Sequence, residues 1–276
     1  MKSLSLYSIL FCQSVLIMND MYAQAAISVG PSIVRFNAAP GKAELKTISI
    51  KNNLNKPVAF KLYIRDWLRD SVGGHEYYKA DTLSQSCANM VSIEPASYLK
   101  VDSGKTGKIV MRMKPPVTAK NTEMKWAMLF IESLPDETLA KDKKKALQMQ
   151  INTTARIGVH IYQTPPGAVT KAVDQVKLAT DSVQKGFVYL YMKNVGQVML
   201  DCKAHLELTH LSTAEETITK EVTFPVFPDG FRKAKLDLPK NIKPGNYSLL
   251  AILDYGVDVP LEAVQQNITI LPTTSK

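Results

Sequence analysis

Apolar and polar residues alternate without interruption through the sixteen residues from Leu147 to Tyr162, which read LQMQINTTARIGVHIY. A period of two residues is that of a β-strand, because successive side chains point to opposite faces. At about 3.3 Å per residue, such a strand would be about 53 Å long, whereas a domain of this size is only about 30–35 Å across. Part of the strand is therefore expected to overhang the domain or to lie along the edge of a sheet.

Charged residues precede this segment. The run KDKKK at 141–145 leads directly into the apolar side chains of Leu147, Met149 and Ile151. Proteins normally protect a long apolar edge, since its free N–H and C=O groups can pair with another chain. An edge that is kept long and apolar but is guarded by charge favours donation of the strand to a partner protein. The alternative is a bent strand that changes sheets at Gly158 and is buried along its whole length.

Strand patterns recur along the rest of the chain, and no segment shows a convincing 3.6-residue period over eleven or more residues. Many short strands separated by turn residues are typical of an all-β sandwich or barrel. The predicted strands are Ala43–Lys51, Val58–Trp67, Lys108–Met113, Met124–Glu132, Gly186–Asn194, Val198–Thr209, Thr217–Val226, Arg232–Leu238, Tyr247–Tyr255 and Ala263–Leu271.

The run QTPPG at 163–167 interrupts the strand pattern. Paired prolines cannot donate to a β-ladder, and the glycine after them favours a turn, so this run is a candidate linker. We therefore expect two immunoglobulin-like β-sandwich domains, at 26–163 and 166–273, joined by a short Pro-containing elbow. Tyr247 follows a Pro-Gly corner at the start of a strand, which is typical of the tyrosine corner of such folds.

The N-terminus has the three parts of a secretory signal peptide. Met1-Lys2 supplies the positive start, Leu4–Met18 is mostly apolar, and Ala23-Gln24-Ala25 is a small-residue cleavage site. This arrangement predicts a signal peptide at 1–25, with export to the periplasm and no membrane insertion after cleavage. The apolar run is shorter than the roughly 20 residues of a membrane span. A lipoprotein signal would have to use Cys12, which lies inside the apolar run behind the bulky Phe11.

The motifs of common enzyme classes are missing from the sequence. It contains no G-x-S-x-G, H-E-x-x-H, P-loop or G-x-G-x-x-G pattern, and its four histidines are scattered. We therefore expect a protein that is not an enzyme and that needs no cofactor and no metal. The net charge of +9 comes from dispersed lysines rather than a basic patch with stacking aromatics, so nucleic acid is not an expected partner. Outside the signal peptide, Cys87 and Cys202 are expected as two half-buried thiols that pack as small hydrophobic residues, with a disulfide as the alternative.

Several segments of the first domain, taken in order, resemble the periplasmic chaperones of bacterial pilus and fimbrial assembly, the PapD-like family. The stretch SVGPSIVRF at 28–36 looks like the family's first strand, which carries an arginine. Similar strands and turns are found at 41–53, 101–112 and 128–135, and 161–165 takes the place of an aromatic-rich end that closes on proline. The second domain matches only by its position and fold type. The longer 70–85 loop departs from the family pattern.

The resemblance implies a function and a set of site residues. Chaperones of this family are ATP-independent and cap pilus subunits by lending them an edge strand, and the matching apolar positions here are Leu147, Met149 and Ile151. Two cations of the family hold the subunit's C-terminal carboxylate, and the matching candidates are Arg35 and Arg156, with His160 competing for the second role. The implied partners are pilus, fimbrial or related surface subunits, with an outer-membrane usher as a further candidate. The alternative function is a non-enzymatic cell-envelope adhesion or scaffold module with the same fold.

Overall fold

The computed structural model describes residues 25–119, 122–135, 154–167 and 169–272. These ranges contain eighteen β-strands and no α-helix. The first ten strands are β1 (Ile27–Gly30), β2 (Ile33–Phe36), β3 (Glu44–Asn52), β4 (Val58–Arg69), β5 (His75–Lys79), β6 (Val91–Glu94), β7 (Tyr98–Val101), β8 (Thr106–Met113), β9 (Lys125–Ser133) and β10 (Arg156–Gln163). The other eight are β11 (Val173–Ala179), β12 (Phe187–Asn194), β13 (Leu200–His210), β14 (Glu216–Ile218), β15 (Val222–Val226), β16 (Phe231–Asp237), β17 (Gly245–Asp254) and β18 (Glu262–Ile270).

The first ten strands form one β-sandwich. One sheet has the order β1-β3-β8-β6, and the other has the order β2-β10-β9-β4-β5, with β7 paired to β4. Because side chains alternate between faces, each sheet turns one apolar face inward. Ile48 and Ile109 from the first sheet pack in the same core as Leu129 and Ile161 from the second. Strand β10 runs antiparallel to β9 and parallel to β2.

The remaining strands form a second β-sandwich with its own core. Its sheets have the orders β11-β12-β16 and β14-β13-β17-β18, with β15 paired to β13. Leu190, Leu206 and Leu249 are among the side chains that fill its interior. The Tyr247 hydroxyl donates to the carbonyl oxygen of Lys243 at 2.9 Å, which confirms the predicted tyrosine corner. Two sandwiches of this kind confirm the predicted fold class.

Most predicted strands lie within two residues of the observed bounds, but the predicted strand Thr217–Val226 is divided. Its two parts, β14 and β15, pair with separate stretches of β13. Between them, the Thr219 hydroxyl accepts a hydrogen bond from the Leu206 N–H at 2.9 Å, and the Thr219 N–H donates to the Leu206 carbonyl oxygen at 2.9 Å. The interruption is therefore stabilised by hydrogen bonds that local sequence periodicity does not reveal.

The long alternating segment is described only from residue 154 onward. Strand β10 begins at Arg156, and Ala155 still exchanges hydrogen bonds with Ser133 of β9, at 2.8 and 2.9 Å. Along β10 the alternation holds, because Val159 and Ile161 face the first core. The predicted donor residues Leu147, Met149 and Ile151 lie outside the described residues, as does the predicted signal peptide up to position 24.

The two cysteines lie in different cores and are free thiols. Cys87 belongs to the first core and Cys202 to the second, with 0% and 1% of their surfaces exposed. Placement in separate sandwiches excludes a bridge between them, which confirms free thiols over the disulfide alternative. Both side chains are fully buried rather than half-buried as expected, because each lies on the inner face of its sandwich. In the part of the chain that the structure describes, no helix has the length and apolar character needed to cross a membrane.

Candidate functional site

The outer face of the β2-β10-β9-β4-β5 sheet is rich in aromatic rings, because alternate residues of β4, β9 and β10 point away from the first core. Trp67, Trp126 and Tyr162 on this face pack with Phe227 of the second sandwich, at ring-centroid distances from Phe227 of 5.0, 4.9 and 5.8 Å. We call this contact the domain junction. It explains why β9 is buried on both faces, since its inner side chains fill the first core and its outer ones face the second domain.

Backbone hydrogen bonds also cross the domain junction. The Met124 N–H donates to the Gln197 carbonyl oxygen at 2.8 Å, and the Lys233 N–H donates to the Ser71 carbonyl oxygen at 2.7 Å. The second bond joins the turn between β4 and β5 to strand β16. The two sandwiches are therefore held together by aromatic packing and by backbone hydrogen bonds.

Arg35 lies on β2 opposite Tyr162 of β10, and its side chain is exposed. The guanidinium carbon is 5.2 Å from the centre of the Tyr162 ring, which is cation–π distance. Burial raises the pKa of Tyr162 to about 12, so the ring that Arg35 faces stays neutral. No described carboxylate lies within ion-pair distance of Arg35. Arg35 is thus a cation at the edge of the domain junction whose hydrogen-bonding edges remain open to a ligand.

Arg156 lies at the other end of β10, opposite Glu132 of β9. Its guanidinium carbon is 5.2 Å from the centre of the Phe130 ring, and the neighbouring Glu132 carboxylate accepts the Tyr63 hydroxyl at 2.6 Å. Arg156 precedes Tyr162, the register partner of Arg35, by six positions, which is about 20 Å along a strand. The structure therefore does not bring Arg35 and Arg156 together, and in this arrangement a single carboxylate cannot bind both.

His160 does not supply a second positive charge near Arg35. Its pKa is lowered to about 4, first by burial and then by the charges of His75 and Arg69. Its Nε2 lies 3.4 Å from Nε2 of His75, and the same His75 atom is 3.3 Å from Nη2 of Arg69. A guanidinium only donates, so His75 Nε2 must accept, and His160 Nε2 must then be the donor. Both imidazoles are neutral in this arrangement.

Sequence reasoning did not find two arginines that meet at the domain junction. Arg69 ends β4, and its Nη1 donates to the Gly73 carbonyl oxygen at 2.8 Å. Arg232 of β16 lies against the same Gly73, where an added Cβ would clash with its guanidinium. The alternating run R-D-W-L-R at 65–69 would have placed Arg69 on the outer face beside Trp67, had the predicted strand been extended by two residues. Nothing in the sequence pairs Arg69 with Arg232.

No protein-family model and no curated protein matches the sequence. Solved structures do match the fold. A chain of the "chaperone-tip adhesin complex" of CFA/I fimbriae biogenesis has a TM-score of 0.50 and 10% identity, over 90% of this chain and 100% of that one. The class 5 fimbriae chaperone CfaA has a TM-score of 0.48 and 10% identity, over 89% and 99%. The CsuC–CsuE chaperone–adhesion subunit complex of Acinetobacter baumannii has a TM-score of 0.46 and 15% identity, over 87% and 98%.

The similarity to the CFA/I complex chain extends through both sandwiches, since it covers 90% of this chain and the whole of that one. At 10% identity, it establishes a shared fold and not a shared activity. The chain therefore shares the two-domain sandwich fold of that CFA/I complex chain, which is the fold that the resemblance of its first domain predicted.

Proposed function

We propose that this protein is a non-enzymatic, ATP-independent periplasmic chaperone that caps pilus, fimbrial or related surface-assembled subunits by strand donation. In this proposal residues 1–25 are the signal peptide, and 26–163 and 166–273 are the two domains. Leu147, Met149 and Ile151 insert into the client, and an outer-membrane usher receives the complex. The fold shared with fimbrial chaperone structures supports the general role.

The observation that carries the proposal is an open strand edge. Strand β10 pairs with β2 only from His160 to Gln163, whereas it pairs with β9 from Arg156 to Gln163. No described strand covers the other side of Arg156–Val159. Because N–H and C=O groups alternate in direction along a strand, those of Arg156 and Gly158 face this open side. The open edge directly follows the apolar donor segment along the chain.

Typical interaction energies indicate that both side chains and backbone must contribute to the free energy of client binding. Three buried apolar side chains contribute about 1.5–3 kcal/mol each, or about 5–9 kcal/mol together. Association costs about 4–15 kcal/mol, so apolar insertion alone is marginal. Hydrogen bonds to charged groups add about 1.5–3 kcal/mol each. Backbone pairing along the open edge and one or two charged contacts would therefore complete the binding energy.

The arginines take separate roles in this proposal. Arg35 holds the client's C-terminal carboxylate, because it lies at the domain junction with no described carboxylate partner and its planar fork can bond both oxygens. Arg156 contacts the client near the donor segment, where Glu132 already provides a neighbouring negative charge. This division replaces a clamp in which both arginines bind one carboxylate, because the register of β2 and β10 keeps Arg35 and Arg156 apart.

Capture of a pilus subunit encoded in the same envelope system tests strand donation. Met149→Glu should abolish co-purification of the subunit, because a charge would enter the client's apolar groove. The matched control is Gln150→Glu, which places the same charge on the opposite face of the segment and should retain capture. Equal capture by the two variants would contradict the proposal and favour a scaffold module whose strand is buried.

A second experiment tests the carboxylate anchor. Arg35→Ala should weaken capture of the native subunit about tenfold or more, as expected for loss of a charge-assisted hydrogen bond. The same variant should have little effect on a subunit whose C-terminus is extended, because its carboxylate is already displaced. Arg65→Ala is the control, since Arg65 is an exposed arginine on the same sheet face. Equal losses for both arginines would reject the anchor.

A further inference from the structure

Four buried side-chain nitrogen atoms of the described residues have no hydrogen-bond acceptor. They are Nε1 of Trp67, Nε of Arg69, and Nε and Nη1 of Arg232. All four belong to residues of the domain junction, and all four are donors. Buried polar groups in folded proteins almost always have a partner. A concentration of unsatisfied donors at one place, with no unsatisfied acceptor among them, indicates a site for a ligand that offers oxygen acceptors.

The two arginines come from different domains and meet at one turn. Arg69 Nη1 donates to the Gly73 carbonyl oxygen at 2.8 Å, and the Arg232 guanidinium lies so close to Gly73 that a Cβ added there would displace it. Gly73 has a φ of 104°, in the region that favours glycine. The bond from the Lys233 N–H to the Ser71 carbonyl oxygen, 2.7 Å long, fixes this turn on β16. The two guanidinium groups are therefore held as neighbours by the backbone.

The charges around the pair do not balance. Asp70 is the carboxylate nearest to them, and its Oδ1 already accepts the N–H groups of Val72, Gly73 and Gly74 at 2.9, 2.7 and 2.7 Å. Asp70 is not within ion-pair distance of either arginine among the described contacts. Burial, and then the charge of Arg69, lower the pKa of Arg232, whereas the negative charge of Asp70 raises it. Asp70 therefore offsets one of the two guanidinium charges, and the remaining positive charge in this half-buried place favours a further negative group.

We propose that Arg69 and Arg232 together bind an oxyanion across the domain junction. A guanidinium presents paired donors that match two oxygens of a phosphate, a sulfate or a carboxylate, and two guanidiniums can share one such group. The ligand contacts both domains, so it binds only when they are docked as observed. By mass action, such a ligand stabilises the docked arrangement. This site involves neither Arg35 nor the donor segment, so it is independent of client capture.

The test uses the purified full chain without any client. Thermal unfolding is followed in sodium phosphate, sodium sulfate and sodium acetate, each against sodium chloride of equal ionic strength at neutral pH. We expect Tm to rise with at least one oxyanion, and isothermal titration calorimetry to detect its binding. Because sulfate and phosphate also raise Tm by exclusion from protein surfaces, the ligand class is assigned from calorimetry. Binding heat with phosphate or sulfate alone identifies an inorganic oxyanion, and binding heat with acetate identifies a carboxylate.

Variants assign the response to the arginine pair. Arg232→Met keeps the length of the side chain but removes its charge, and should weaken binding of the responding anion about tenfold or more. Arg65→Met is the matched control and should bind as the unaltered protein does. Arg232→Lys keeps the charge but loses the fork, and should also bind more weakly, which gives a readout if the methionine variant does not fold. No oxyanion response beyond chloride, or equal losses for Arg65→Met and Arg232→Met, would overturn the proposal.

Discussion

The Nε2 atoms of His75 and His160 lie 3.4 Å apart, and both imidazoles pack on the ring of Trp67, at centroid distances of 4.8 and 5.0 Å. The bond joins residues that are 85 positions apart in the chain. Arg69 donates to the same His75 nitrogen, so protonation of either imidazole would place a second positive charge beside the guanidinium. The arrangement therefore favours the neutral form of both imidazoles, and protonation of either should lower the stability of the folded protein.

Acid should destabilise the protein before its carboxylates titrate fully. The pKa of His160 falls from 6.5 to about 4 on folding, first because the ring is buried. Between these values the unfolded chain binds the proton and the folded chain does not, so stability is complete above about 6.5 and declines as pH falls toward about 4. Because the imidazole is only half-buried and water screens part of the effect, we expect the unfolding free energy to fall by about 1 kcal/mol over this pH range.

Urea unfolding across this pH range measures that loss. In His160→Gln the difference in unfolding free energy between neutral and mildly acidic pH should shrink, because the titrating group is gone. His205→Gln, which changes a histidine of the second sandwich, should leave the pH dependence as it is. An identical pH slope in the protein and in His160→Gln would show that the histidine pair is not responsible.

Loss of the Phe227 ring should weaken the docking of the two domains. The ring is buried between Trp67, Trp126 and Tyr162. Replacing a buried Phe with Ala typically costs about 3–5 kcal/mol, part of which is the cavity left behind. For Phe227→Ala we expect the unfolding free energy to fall by about 3 kcal/mol. The transition in tryptophan fluorescence should then occur at a lower urea concentration. The signal is specific, because Trp67 and Trp126 are the only tryptophans of the chain.

Phe231→Ala is the control for this change, since Phe231 lies in the same domain but is 41% exposed. Its effect on the unfolding free energy should be within about 1 kcal/mol. If the two variants lose equal stability, Phe227 does not have the central place in the domain junction that the ring contacts indicate.

Neither Cys87 nor Cys202 should react in the folded protein. Burial raises the pKa of both thiols, so little thiolate forms, and access is closed. Labelling with iodoacetamide followed by mass spectrometry should modify both residues only in urea. Modification of either residue under native conditions, or recovery of a disulfide-linked peptide, would contradict their placement in separate cores.

The tyrosine corner of the second sandwich should make a modest contribution to the unfolding free energy. Tyr247→Phe keeps the ring and removes the 2.9 Å hydrogen bond to the Lys243 carbonyl oxygen. The expected cost is about 1 kcal/mol, typical of a neutral hydrogen bond. Equilibrium unfolding in urea measures it, with Tyr98→Phe as the control, because Tyr98 is 60% exposed. A larger loss in the control would reject the structural role of the corner.

Local pattern predicted most of the long strands, including β9, which is buried on both faces, and it missed strands that are short or largely exposed, such as β5, β6, β7 and β11. Strand β5 reads HEYYK with every residue exposed, so it carries no alternation of burial to detect. Strand β4 extends two residues beyond its predicted end at Trp67, because β5 pairs with it as far as Arg69. Strand existence follows from side-chain periodicity, whereas strand ends depend on a neighbouring strand that the local sequence does not specify.

The sequence by itself determined the all-β class, the break at 163–167, the corner at Tyr247 and the face on which each strand residue lies, because these depend on periodicity and turn chemistry within a few positions. The tertiary structure alone decided which polar side chains meet. The register of β2 and β10 separates Arg35 from Arg156 by about 20 Å, and domain docking brings Arg69 to Arg232. Periodicity sets the direction of a side chain, but register and docking are set by packing between residues far apart in the chain.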